Sequence, residues 1–248
     1  MIPRKIHYCW FGGNPLPELA QKCIASWKKH CPDFEIVEWN ESNFDVNCCD
    51  YVREAYEAKK WAFVSDYARF QILYEHGGVY FDTDVELLKP LDDILARGGF
   101  MGVERICGDT YKVAPGLGLA CEAGFPLMRG LLEEYHSRHF RNEDGTLNLK
   151  TIVEYTTEHL YACGMQSDDG IQEVAGVFVY LKEYFNPCDM ETGRIHVTEK
   201  TVSIHHYAAS WVDKGSRFRG KVYQFLNRLG GQKFADGMRK IFGRKKEK

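Results

Sequence analysis

The chain has 248 residues, 44% hydrophobic and 27% charged, enough for one sizeable core and too ordinary in composition for a disordered protein. Its nine cysteines are odd in number and scattered, with Cys48 and Cys49 adjacent and no C-x-x-C pair, which argues against a disulfide framework and against zinc. The net charge of −3 is unevenly divided: residues 217–248 carry eleven Lys and Arg against Asp236 and Glu247, so the tail is +9 and the body −12, a sign that opposes binding to nucleic-acid phosphates.

Lys5 to Phe11 reads as a buried strand ending at Gly12-Gly13, Glu18 to His30 as a helix that stops before Pro32, and Phe34 to Trp39 as a second strand. Lys60 to His76 is helical, with Phe63, Tyr67, Phe70, Leu73 and Tyr74 recurring every three or four residues. Gly77-Gly78 stops it, and the short apolar strand Val79 to Phe81 follows. This βαβ opening predicts an α/β fold with a mainly parallel central sheet covered by helices, whose ligands collect at the carboxyl ends of the strands. Further on, Gly99 to Val103, Leu117 to Cys121 and Gly176 to Leu181 read as strands, Pro126 to Arg138 and Thr151 to Tyr161 as helices, and Ala114-Pro115-Gly116, Asn142 to Gly145 and Asp168-Asp169-Gly170 as turns. In the tail, Val222, Phe225, Leu226 and Leu229, then Phe234, Met238, Ile241 and Phe242, repeat at helical spacing among Lys and Arg. The expected layout is one catalytic domain over residues 1–216 and a basic amphipathic helical tail over 217–248, divided by Gly230-Gly231. No run reaches the roughly 18 apolar residues of a spanning helix, and Met1 to Lys5 leads into a strand, so a cytosolic protein is expected.

The chemistry sits at Asp82-Thr83-Asp84, directly after the strand. Residues i and i+2 of a strand point to one side, so both carboxylates can face a single Mn²⁺ or Mg²⁺ that keeps positions open for diphosphate oxygens. On the preceding helix Asp66 and Arg69 share a face, where they are expected to bind the donor's hydroxyls, ribose or diphosphate, the alternative being a surface ion pair with each other. Tyr80 alternates with the core positions of its strand and faces either a nucleotide or the interior. His205 and His206 point to opposite sides if they lie on a strand, so one of them at most reaches the metal.

Ser65-Asp66-Tyr67-Ala68-Arg69 followed by Gly77-Gly78-Val79-Tyr80-Phe81-Asp82-Thr83-Asp84 resembles the sugar-binding region of D-x-D glycosyltransferases of family 32. That group includes capsular polysaccharide enzymes and Och1-type mannosyltransferases and is related to the catalytic domains of the large clostridial glucosylating toxins. Ile2 to Gly13, Ser26-Trp27-Lys28-Lys29, Glu38 to Phe44 and Ile204 to Trp211 extend the resemblance. It implies a GT-A fold and a retaining transfer of a hexosyl group from a UDP- or GDP-linked sugar to a glycan or lipid-linked glycan. By position it implies that Trp10, with Phe11 and Gly12, meets the nucleotide base and that Asn43 touches base or ribose. It further implies that His205, favoured over His206, completes the metal shell, and that Ser210 and Trp211 lie over the diphosphate ahead of a closing loop at Asp213 to Ser216. A toxin-like effector acting on a protein would share every one of these residues, and a carbohydrate- or cation-binding module without turnover would share most. The basic tail suggests a peripheral place on an anionic cytoplasmic leaflet.

Overall fold

The computed structural model describes residues 1–189, 192–208, 219, 222–229 and 231. In chain order the elements are β1 (Lys5–Cys9), α1 (Glu18–His30), β2 (Glu35–Trp39), α2 (Asp50–Glu57), α3 (Trp61–His76), β3 (Gly78–Tyr80), β4 (Val85–Leu87), α4 (Asp92–Leu95), β5 (Gly99–Cys107) and β6 (Thr110–Val113). A 3-10 turn (Pro115–Leu117), β7 (Leu119–Cys121), α5 (Pro126–His136), α6 (Ile152–Ala162), β8 (Gln172–Val174), β9 (Val177–Tyr180), α7 (Lys182–Phe185) and β10 (Ser203–His205) complete them.

The main sheet runs β2-β1-β3-β7-β5-β9-β8, with β6 hydrogen-bonded to β5 off that path. Pairing is parallel from β2 through β1 to β3, antiparallel on both sides of β7, and parallel again between β5 and β9. β2, β1, β3, β5 and β9 therefore point one way, which is the mainly parallel sheet expected of this α/β chain. A separate ribbon joins β10 to β4 antiparallel.

Period-two alternation divides the core between the two faces of the sheet. Ile6, Tyr8, Val79, Phe81 and Phe100 bury on one side with Trp27 of α1 and Phe185 of α7. Cys9, Tyr80, Met101 and Leu119 bury on the other with α2, α3, α5 and α6. His7 fits inside because both of its ring nitrogens are satisfied: Nε2 lies 3.0 Å from the Gly77 carbonyl and Nδ1 accepts from Trp39 Nε1 at 3.0 Å. That pattern fixes a neutral ring with its proton on Nε2, and burial holds the imidazole down at about 4.

Two helix ends show why these segments stop and start where they do. Thr151 caps α6 with a full capping box: its side chain accepts from Glu154 N, while Glu154 reaches back to Thr151 N. Gly77 ends α3 at φ 62, ψ −168, a conformation open to glycine alone, and turns the chain into β3. The strand read over Leu117 to Cys121 divides into the 3-10 turn and β7, because Gly118 at φ 150 interrupts it. Of the amphipathic tail, residues 222–229 are helical, and Val222, Phe225 and Leu229 on one stripe are exposed. Its second half, like Ser210, Trp211 and the loop at 213–216, lies outside the described residues.

Candidate active site

The two carboxylates converge through a turn and not through a pleated strand. The chain leaves the sheet after β3, and Val85 N–H donates to the Asp82 carbonyl at 3.1 Å, folding Asp82 to Val85 back on themselves before β4 begins. Helix α1 holds that turn from beneath: Trp27 Nε1 donates to the Val85 carbonyl at 2.7 Å, and Ser26 Oγ accepts from Leu87 N at 2.9 Å. β10 pairs His205 opposite Val85, which brings the imidazole beside Asp84. Asp82, Asp84 and His205 each offer a ligand atom within 4.8 Å of the others.

Asp84 is the more enclosed of the two carboxylates. Its Oδ1 stands 3.0 Å from His205 Nε2, its Oδ2 accepts from Ala208 N at 2.7 Å, and its carbonyl accepts from His206 N at 3.0 Å. Burial pushes this carboxyl up, but the His205 ring and the Ala208 N–H outweigh it and hold it at about 2. For His205 burial pulls down and Asp84 more than compensates, so the imidazole is raised. His205 Nδ1 is buried with no partner among the described residues. Two carboxylates and the imidazole whose Nε2 faces them form a donor set that suits Mn²⁺ or Mg²⁺. His206 faces the other way, its Nε2 2.8 Å from Glu86 Oε2; it stands outside the cluster, as strand alternation requires, and is corrected as a metal ligand.

Behind Asp82 lies a buried layer. Arg69 Nη2 reaches Asp66 at 2.9 Å and Asp82 at 3.3 Å, with side-chain exposures of 5% for Arg69 and 12% for Asp66. The Arg69 Nε donates to the Ser65 carbonyl at 3.0 Å and the guanidinium lies 4.7 Å over the Tyr80 ring. A solvated surface ion pair is thereby excluded. Burial raises the Asp66 carboxyl, Arg69 pulls it back and Asp82 raises it again, leaving it at about 7. Tyr80 is 1% exposed and donates to Asp82 Oδ1 at 3.2 Å. It supports the carboxylate from inside, which corrects its reading as a nucleotide contact.

Gly116 seals this layer. The Asp82 N–H donates to the Gly116 carbonyl at 3.0 Å, and a Cβ added at Gly116 would fall 1.9 Å from Asp82 Oδ2 and 3.1 Å from Arg69 Nη1. Only a residue without a side chain permits that approach. The sequence marks Pro115-Gly116 as a turn but carries no sign that the turn faces Asp82, since the β3–β7 pairing that brings them together is not written locally.

At the carboxyl end of β1, Trp10 is half-buried and its Nε1 donates to the Asn14 carbonyl at 2.5 Å. Phe11 turns inward, 4% exposed and edge-on to Phe44 at 5.7 Å, so its ring is core and not a ligand face. Gly12, at φ 93, donates its N–H to Glu41 Oε1 at 2.6 Å, and the Trp61 indole occupies the space a Cβ would need. Asn43 ties its own loop, its side chain bonding Asn40 N and the Glu38 carbonyl at 2.9 Å each. Beside these residues opens a cleft of about 640 Å³ lined by Gly12, Gly13, Asn14, Glu41, Tyr56 and Trp61, among others.

Residues 17–101 match the family model of the glycosyltransferase sugar-binding region containing the DXD motif. An uncharacterized glycosyltransferase of Acanthamoeba polyphaga mimivirus is 31% identical over 195 residues, covering 68% of this chain and 76% of that protein. The chain belongs to the DXD-motif glycosyltransferases. Inositol phosphoceramide mannosyltransferase 1 of Schizosaccharomyces pombe is 32% identical over 111 residues, where the match spans 40% of this chain and a third (33%) of the relative. Among solved structures the PaToxG glycosyltransferase overlays 65% of this chain and 69% of its own, at 18% identity and a TM-score of 0.49. As a glycosyltransferase the chain is an enzyme, so the binding module without turnover is set aside. In this glycosyltransferase the DXD acids are Asp82 and Asp84, and the matched region also contains Trp27, Asp66 and Arg69, the residues that fix the DXD turn.

Proposed function

We propose that this glycosyltransferase is metal-dependent and transfers a hexosyl group, with retention, from a UDP- or GDP-linked sugar to a hydroxyl of a glycan or lipid-linked glycan in bacterial surface polysaccharide synthesis. The observation that carries the reading is the convergence of Asp82, Asp84 and His205 within 4.8 Å, next to the strand ends where ligands of such sheets collect. These three residues would hold the ion, which when bound would supply Lewis-acid charge to offset the negative charge growing on the departing diphosphate. Arg69 and Tyr80 keep Asp82 aimed, Asp66 balances Arg69, and Trp10 with the Gly12 turn receives the base. Ser210 and Trp211 are proposed to lie over the diphosphate.

The basic tail is proposed to hold the enzyme on an anionic cytoplasmic leaflet, where a lipid-linked acceptor is met. Among the described residues no helix is long and apolar enough to cross a membrane. The test of the catalytic reading is a screen of nucleotide sugars for release of UDP or GDP with Mn²⁺, Mg²⁺, Ca²⁺ or excess chelator. Release with Mn²⁺ and its loss in chelator are expected; full turnover in chelator would remove the metal from the mechanism.

A further inference from the structure

Glu104 stands where β5 breaks register. β5 and β6 pair Val103 with Val113 but Arg105 with Lys112, so Glu104 is the extra residue of a β-bulge, and a bulge re-aims the side chain it carries. The Glu104 side chain is 14% exposed, and among the described residues its one charged contact is Arg105 Nε at 3.7 Å, too long for a hydrogen bond. Its carboxylate oxygens are not among the buried unpartnered atoms of the described residues, so they reach solvent and are open to a ligand's hydroxyl.

The bulge is locked to the metal cluster through one amide. Asn186, fully buried, donates from Nδ2 to the Glu104 carbonyl at 2.7 Å and to Tyr207 Oη at 2.5 Å. The Tyr207 ring lies edge-on to the His205 ring at 4.2 Å. Tyr207 adopts φ 49, a left-handed conformation rare for an aromatic residue and a form of strain that gathers at functional sites. Asn186 Oδ1 is buried with no partner among the described residues, so the network is left open at one atom.

We propose that Glu104 binds a hydroxyl group, of the transferred sugar or of its acceptor, beside the Asp82, Asp84 and His205 cluster. A carboxylate accepts from hydroxyls at any orientation of the two oxygens, and this one is held by backbone pairing, by Asn186 and by the bulge, not by a flexible loop. The inference rests on the nucleotide-sugar reading above and adds to it the residue that meets a hydroxyl.

The test compares wild type with Glu104→Gln, which keeps size and shape, in three measurements: Mn²⁺ binding without substrate, hydrolysis of the donor in water, and transfer to acceptor. The expected result is unchanged Mn²⁺ affinity with at least a tenfold fall in kcat/KM for transfer. A parallel fall in hydrolysis assigns the hydroxyl to the donor sugar, whereas intact hydrolysis assigns it to the acceptor. Unchanged kcat/KM in both reactions overturns the proposal, and so does a loss of activity that follows a loss of Mn²⁺ affinity, because Glu104 would then act on the metal shell. Wild-type protein that turns over no nucleotide sugar defeats the underlying reading instead, which keeps the two failures apart.

Discussion

At Asp84 one carboxylate both faces the cluster and closes the chain around it through Ala208 N–H and His205. Asp84→Asn keeps the shape and removes the charge; turnover is expected to fall on the order of a hundredfold or more, the scale of losing a transition-state charge partner, while the variant stays folded at a lowered melting temperature, because the pairing with His205 that holds this carboxyl at about 2 is lost. Near wild-type rates would end its assignment as a ligand. Gly116 tests the same geometry from behind: with a Cβ 1.9 Å from Asp82 Oδ2, Gly116→Ala must displace either the carboxylate or the 3-10 turn. Overpacking of this kind costs about 1–3 kcal/mol, so the folded variant is expected to lose Mn²⁺ affinity and activity together, read by metal titration beside a melt. His7 gives a pH prediction. The folded chain keeps this ring neutral down to about 4 while the unfolded one protonates near 6.5, so the unfolded state binds more protons in that window. Stability from His7 is complete above pH 6.5 and is lost as pH falls toward 4, by about 3 kcal/mol in all. Urea titrations across this range, in wild type and in His7→Gln, check it: the variant should show the shallower pH slope, and equal slopes would refute the assignment.

Among the elements, α3 and its stop are the most exacting. Gly77 sits at φ 62, ψ −168 with Ala123 N 2.6 Å from where a Cβ would stand. Gly77→Ala is expected to cost roughly 2–3 kcal/mol from the forbidden conformation, with the clash adding to it. Gly13→Ala, at φ 64 with nothing within 4 Å, should cost about 1 kcal/mol on conformation alone. Chemical denaturation of the pair separates strain from crowding, and equal costs would mean the clash relaxes freely. These elements were also the legible ones. Glu18 to His30 has its observed limits in the sequence because Pro17 and Pro32 bracket it, and Gly77-Gly78 punctuates α3 in the same way. β4, β6 and β8 are three or four residues long and, like α2, carry no clear local signal in the sequence. Short strands are decided by partners far along the chain and not by local pattern. The site follows the same division. Asp82 and Asp84 stand out as a triplet, whereas Gly116 joins them only through the β3–β7 pairing, and the choice of His205 over His206 follows from its register opposite Val85. Trp27 and Ser26 were visible as part of a resemblance, and their work in holding the turn was not.

For the whole molecule, the charge division meets an unusual surface. Val222, Phe225 and Leu229 of the 222–229 helix are 39, 58 and 68% exposed, and Ile195 and Val197 are exposed as well. Arg228 Nη2 donates to the Gly193 carbonyl at 2.8 Å, fastening the helix to the segment that carries them. An apolar stripe turned outward in a stretch whose sequence carries a net charge of +9 is what supports the proposed attachment to an anionic interface, where each basic residue would contribute roughly 1 kcal/mol. Co-sedimentation with phosphatidylserine-rich liposomes is expected to need residues 217–248 and to weaken with salt. Equal partitioning of full-length and truncated protein, or indifference to lipid charge, would leave the tail as a packed helix. The ribbon of β10 on β4 has a different consequence. Ser203 pairs with Leu87 and His205 with Val85, so a segment made more than a hundred residues later supplies the imidazole to carboxylates already in place. On the proposed metal site, the nascent chain carries two acids and lacks the third donor until residue 205 emerges and finds its strand, so catalytic competence is expected to arrive late. In a pulling experiment the order is expected to reverse: force applied at the carboxyl side should peel the short β10 from β4 first and abolish activity while the sheet around β1 and β3 still stands, and activity that survives until the sheet unfolds would refute this.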